Sequence, residues 1–84
     1  GMAGFVHALS QQQIEQGFSL LKLMEHLDLE IAHLNEQRLI SGLADQERER
    51  LTQIKRSYLR KINDCIAELE GSGFNQWLVE RRIA

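Results

Sequence analysis

One spacing in the sequence is typical of metal chemistry. Glu30 and His33 form a Glu-x-x-His motif, which ferritin-like and designed di-iron bundles project inward from facing helices. His26 lies two helical turns before His33, about 10 Å along the axis, which is too far for both imidazoles to bind one ion unaided. On a helix these side chains share the polar face, so the pattern favours a solvated surface. A dinuclear metal-binding bundle is an alternative, and no cofactor is expected.

The single cysteine is the candidate nucleophile. Cys65 falls in the middle of an apolar stripe, and no histidine or helix N-terminus lies near it in sequence to activate the thiol. Nucleophilic catalysis also needs a base and an orienting group that converge in a cleft, which packed helices do not offer. The sequence therefore predicts a small buried hydrophobe at this position and no enzyme. A lone cysteine gives no intramolecular disulfide, so the cytoplasm is the expected compartment.

One basic run invites comparison with nucleic-acid-binding proteins. Four of the seven residues from Lys55 to Lys61 are basic, and Tyr58 lies among them. On a helix, however, Arg56 and Arg60 share a face whereas the two lysines point elsewhere. The whole chain has a formal net charge of −2 at pH 7, which gives no general attraction to phosphates. A nucleic-acid-binding regulator is therefore an alternative function, and nucleic acid is not the expected partner.

Composition and local signals place these residues on helices. The chain of 84 residues is 43% hydrophobic and 26% charged and has no proline, which indicates a soluble all-α protein. Ser10 and Gln13 form a capping box, which predicts that a first helix begins at Gln11. Gly42 is expected at its left-handed C′ position. No stretch approaches the roughly 18 apolar residues that a membrane span needs, so no membrane contact is expected.

The remaining signals divide the chain into three parts. Asp45 is predicted to cap a second helix that runs to Gly71, and a short third helix follows from Phe74. We predict an N-terminal segment at 1–9, an αα-hairpin at 10–71 and a short C-terminal helix at 72–84. Gly1 before Met2 is typical of a residue left after removal of an expression tag.

The first helix has more apolar surface than one neighbour can cover. Its main stripe faces the second helix, and a second apolar stripe lies beside the first, so the apolar arc covers roughly 200°. A second copy of the hairpin would cover the excess in a four-helix-type bundle. We therefore predict a homodimer, with a monomeric three-helix bundle as the alternative. The predicted dimer residues are Ile14, Phe18, Leu21, Ala32 and Leu39.

Polar residues on this arc should fix the register. Asp28 and Asn35 lie seven residues apart between the two stripes. Counted back from the turn, Asp28 is about level with Tyr58 and Lys61 of the second helix, so a hydrogen bond or an ion pair is expected there. Such pairs can set register in helical assemblies.

The C-terminal segment carries the only tryptophan. Phe74, Trp77 and Leu78 form one apolar side after the Gly71-Ser72-Gly73 break. This segment either closes the bundle or detaches and docks into a groove on another protein, with the aromatic residues as anchors. These three residues are the predicted partner-binding residues.

A short stretch near the end of the first helix carries a resemblance. The residues Leu34-Asn35-Glu36-Gln37-Arg38-Leu39-Ile40 are similar to the corresponding stretch of flagellar and type III export chaperones. The resemblance implies a small helical hairpin whose C-terminal helix covers or releases a partner-binding surface. The excess apolar surface and the absence of a catalytic constellation make a non-enzymatic protein–protein interaction role the expected function, as an adaptor, a regulator or, as the resemblance implies, an export-chaperone-like protein.

Overall fold

The computed structural model describes residues 8–83, and the side chains of residues 8–82. This part of the chain contains no strand and three helices: α1 (Gln11–Arg38), α2 (Asp45–Gly71) and α3 (Phe74–Ile83). The prediction of an all-α protein is confirmed. No helix in this range has an apolar stretch of the length and hydropathy required to cross a bilayer.

The start of α1 is fixed by its capping box. The Ser10 hydroxyl accepts a hydrogen bond from the Gln13 backbone N–H at 3.1 Å, and the Gln13 side-chain oxygen accepts one from the Ser10 N–H at 2.9 Å. Two of the backbone donors that every helix N-terminus leaves unpaired are thus satisfied.

Removing this cap should destabilise the chain measurably. We expect Ser10→Ala to lower the free energy of unfolding by about 1 kcal/mol, the usual loss for an N-cap serine. Urea denaturation followed by far-UV circular dichroism measures the change. Ser19→Ala is the matched control, because Ser19 lies exposed in the interior of α1, where alanine is the better helix former. Equal effects of the two substitutions would contradict a capping role.

The end of α1 differs from the sequence prediction. The helix stops at Arg38, and its last turn tightens: the Leu39 and Ile40 N–H groups bond to carbonyls three residues back, at 3.1 Å each. The Arg38 carbonyl accepts a hydrogen bond of 2.6 Å from the Arg48 guanidinium. A side chain of α2 thus satisfies this carbonyl where the chain leaves the helix, before Gly42. Gly42 does have a positive φ of 80°, but it lies in the loop at 39–44 and not at C′.

The start of α2 also needs a correction. The N-cap is Ala44, which makes no side-chain capping bond, and Asp45 is the first helical residue. Asp45 and Glu47 place negative charge in the first turn, where it complements the helix dipole. Arg50 donates two hydrogen bonds to Glu47, at 2.7 and 3.0 Å. These hydrogen bonds, and to a smaller extent the attraction between the two opposite charges, lower the pKa of the Glu47 carboxyl and raise the pKa of the Arg50 guanidinium.

Helices α1 and α2 pack side by side and run in opposite directions. At one end the Gln16 amide donates to the Glu68 carboxylate at 3.2 Å, and at the other end Arg48 bonds to the Arg38 carbonyl. The core between them consists of residues with at most 7% exposure: Leu27, Leu34, Leu51, Cys65 and Leu69. The prediction that Cys65 is a buried hydrophobe is confirmed.

Candidate functional site

The described chain exposes more large hydrophobic residues than it buries. Only six hydrophobic residues are buried within residues 8–82: Leu27, Leu34, Leu51, Cys65, Leu69 and Phe74. Eight large ones are exposed in the same range: Phe18, Leu23, Leu29, Leu39, Ile40, Leu59, Ile66 and Val79. Single exposed hydrophobic residues need no explanation, whereas a group of them on one side indicates an interaction surface.

Three of these eight residues, Leu39, Leu59 and Ile66, share one side of the α1/α2 pair with the half-buried Leu21 and the small Ala32. Leu21, Ala32 and Leu39 lie about 110° around α1 from the centre of its buried stripe, and Leu59 and Ile66 lie about 90° around α2. Because the two helices are antiparallel, both rotations lead to the same side of the pair. Leu39 is 84% exposed, Leu59 42% and Ile66 38%. We call these five residues the apolar side.

Helix α3 covers one end of the second stripe of α1. Phe18 is 45% exposed, and its ring packs edge-on against Phe74 and Trp77, with ring centres 5.2 and 6.2 Å apart. Ile14 and Leu21 are half-buried, whereas Ala32 and Leu39 are exposed. Of the predicted dimer residues, Phe18 thus contacts α3, whereas Ala32 and Leu39 at the other end of the stripe are left uncovered in the single chain.

Phe74 is seated in a notch on α1. Its exposure is 0%, and its ring lies directly over Gly17, where a Cβ atom would overlap the ring. Trp77 stacks on Phe74 with ring centres 5.5 Å apart, and the Arg81 guanidinium lies 4.4 Å from the centre of the Trp77 ring. Gly17 is the residue that the sequence analysis missed. The available signal was a glycine inside a helix next to an aromatic residue, which is costly unless something packs closely against it.

The notch bears on the predicted partner-binding residues. Phe74 lies in the core of the chain itself, because Gly17 lets the ring approach the α1 backbone, and this is the arrangement in which the C-terminal segment closes onto α1. Trp77 and Leu78 are half-buried and keep part of their surface in contact with solvent. Gly73, with a φ of 82°, provides the turn between α2 and α3.

A shallow cleft of about 310 Å³ lies beside the notch. Seven residues line it: Gln12, Gln13, Gln16, Gly17, Leu20, Glu68 and Ser72. The Glu68 carboxylate is hydrogen-bonded to Gln16. The lining thus supplies amide groups, one carboxylate and one hydroxyl, and it brings together no nucleophile with a histidine or a second carboxylate.

The predicted register contacts are not formed between α1 and α2. Asp28, Asn35 and Lys61 are exposed, and Tyr58 is half-buried. Within residues 8–82, neither Asp28 nor Asn35 forms a hydrogen bond with α2. The physical reason is rotational. Asp28 points to the apolar side of the pair, whereas Lys61 lies about 60° around α2 in the other direction.

The residues of the Glu-x-x-His motif lie at the surface. Glu30 is half-buried, and His26 and His33 are exposed. Across the described range, no three histidine, cysteine, aspartate or glutamate side chains are close enough together to hold a metal ion.

The basic run is distributed around α2. Arg56, Arg60 and Lys61 are exposed, whereas Lys55 and Tyr58 are half-buried against neighbouring residues. The tyrosine therefore presents no free ring on which a base could stack.

Comparison with known proteins adds no assignment. No protein-family model matches the sequence, and no significant match was found among curated proteins or solved structures.

Proposed function

We propose that this protein is a non-enzymatic protein–protein interaction protein that forms a homodimer through its apolar side. The α1/α2 pair is then an antiparallel hairpin, and two hairpins form a four-helix-type bundle with an adaptor, regulatory or export-chaperone-like role. The observation that carries the proposal is the excess of exposed over buried large hydrophobic residues in the described chain.

The energetics favour association. Full burial of one large aliphatic side chain contributes about 1.5–3 kcal/mol, and chains of this length bury only about 60% of their unfolded surface when they fold alone. A second hairpin on the apolar side would cover Leu39, Leu59 and Ile66 at once. Closed two-fold dimers are the commonest way in which soluble proteins cover such a surface.

The third helix supplies the remaining candidate contact. Trp77 and Leu78 keep exposed surface while Phe74 holds α3 against α1. Tryptophan is enriched among the residues that dominate binding energy. We therefore assign dimerisation to the apolar side and contact with a further protein to the outer face of α3.

Solution mass tests the proposal. Light scattering at several concentrations should give a dimer for the full chain and for a chain ended at Glu70, with circular dichroism to check that the shortened chain is helical. A full chain that stays monomeric at every concentration would contradict the homodimer. If the shortened chain alone then associates, α3 is the element that covers the excess apolar surface.

A further inference from the structure

Charge is divided unequally between the two helices that form the apolar side. Glu25 and Asp28 lie beside Leu21 and Ala32 on α1, whereas Lys55 lies beside Leu59 on α2. Asp28 and Glu25 are exposed and Lys55 is half-buried, and none of the three forms an ion pair within residues 8–82. Around the middle of the apolar side, the charged groups are therefore acidic on α1 and basic on α2.

The contacts at the two ends of the pair fix which residues lie level. With Gln16 beside Glu68 and Arg48 beside the Arg38 carbonyl, Asp28 is level with Ser57, about half a turn from Lys55. By the same register Leu21 is level with Asp64, between the positions of Ile62 and Ile66. Asp28 and Lys55 thus lie at nearly the same position along the helix axes, and Leu21 and Ile66 lie together at another position.

Two copies can meet face to face in two symmetric ways. If their loops lie at the same end, each α1 lies opposite α2 of the second copy at the same height. Leu21 then faces Ile66 of the second copy, and Asp28 faces its Lys55. If the loops lie at opposite ends, α1 lies against α1. Extensive overlap of the helices then brings Glu25 and Asp28 of both copies to within about one turn of each other.

We infer that the dimer has both loops at the same end, with α1 of each copy packed against α2 of the other. Charge complementarity selects this arrangement, because like charges placed opposite each other disfavour an interface and opposite charges fix its register. The inference rests on the proposed homodimer and specifies how its two copies are oriented.

Spin-label distances test the orientation. A label on Ser41→Cys, at an exposed loop position, should give a spin–spin distance below about 30 Å when the loops share an end. Opposite-end loops would be about 40 Å apart or more, because α1, with 28 residues, spans about 42 Å. A label on Arg60→Cys is the control, because this exposed mid-helix position gives similar distances in both arrangements. The unsubstituted chain, treated identically, measures any labelling of the buried Cys65.

A charge reversal gives effects of opposite sign for the two orientations. With loops at the same end, Asp28→Lys faces Lys55 of the second copy and should weaken the dimer about threefold to tenfold, and Lys55→Glu in the same chain should restore it. With loops at opposite ends, Asp28→Lys would relieve repulsion and tighten the dimer. Glu15→Lys, an equal charge change on the far side of α1, should leave the dissociation constant unchanged.

The outcomes separate the inference from the proposed function. A short Ser41 distance with a weakened Asp28→Lys dimer supports the same-end arrangement. A long distance, or a tighter Asp28→Lys dimer, overturns the orientation while the homodimer stands. A labelled protein that is monomeric by light scattering overturns the homodimer itself.

Discussion

Replacing Phe74 by alanine is expected to release α3 from α1. The ring is fully buried and contacts both Phe18 and Trp77, and truncation of a buried phenylalanine typically costs about 3–5 kcal/mol. Because α3 is joined to α2 through Gly73 and ends the described chain, we expect local undocking while α1 and α2 stay helical. Trp77, the only tryptophan, should then show red-shifted fluorescence.

Two further variants isolate the role of the notch. Gly17→Ala should also undock α3, although alanine favours the helix by about 1 kcal/mol, because its Cβ would overlap the Phe74 ring. In a Phe74→Ala background the same change should become stabilising, since the overlap is gone. Val79→Ala is the control, because Val79 is 47% exposed in the same helix. Unchanged Trp77 emission in Phe74→Ala would contradict the docking that the structure shows.

Placing a charge on the apolar side should break the dimer. We expect Ile66→Lys to weaken self-association at least a hundredfold, because the interface would have to bury an unpaired ammonium at a cost of about 3 kcal/mol or more. Dilution series followed by analytical ultracentrifugation measure the dissociation constant. The monomer fold should persist, since Ile66 is 38% exposed in the single chain.

A matched substitution controls for general effects of added charge. Leu23 is 42% exposed but lies on the opposite edge of the buried stripe of α1, so Leu23→Lys changes hydrophobicity and charge equally at a site away from the apolar side. Its dimer should dissociate like that of the unsubstituted chain. Equal weakening by both substitutions would place the interface elsewhere.

Local sequence signals predicted the start of α1, because that start depends only on residues within one helical turn. Ser10 and Gln13 act within one turn, so the beginning of α1 is encoded where it occurs. The last turn of α1 is bonded by Arg48, ten residues away in sequence from the carbonyl that accepts the bond, and no local pattern contains that contact. The N-cap of α2, Ala44, likewise makes no side-chain capping bond, so its residue type does not mark it as a cap.

The surface was predictable in composition but not in geometry. Helical periodicity identified the second stripe of α1, because the direction of each side chain around a single helix can be calculated from the sequence alone. The side on which that stripe combines with Leu59 and Ile66 depends on how α1 and α2 face each other. The seating of Phe74 on Gly17 depends on a contact between residues close to the two ends of the described chain, which local spacing cannot show. The predicted contact between Asp28 and Lys61 was wrong for the same reason, because the sequence does not show how α1 and α2 are rotated relative to each other.

That contact also sets an order of events during synthesis and folding. Gly17 leaves the ribosome among the first residues of the described chain, and Phe74 is made only after α1 and α2 are complete. Closing a contact over such a long loop carries an entropic cost that neighbouring turns do not, so contacts of this kind form late. Of the three described helices, α3 is therefore the one whose packing against α1 and α2 completes the fold, and a chain that pauses before Phe74 leaves Gly17 uncovered.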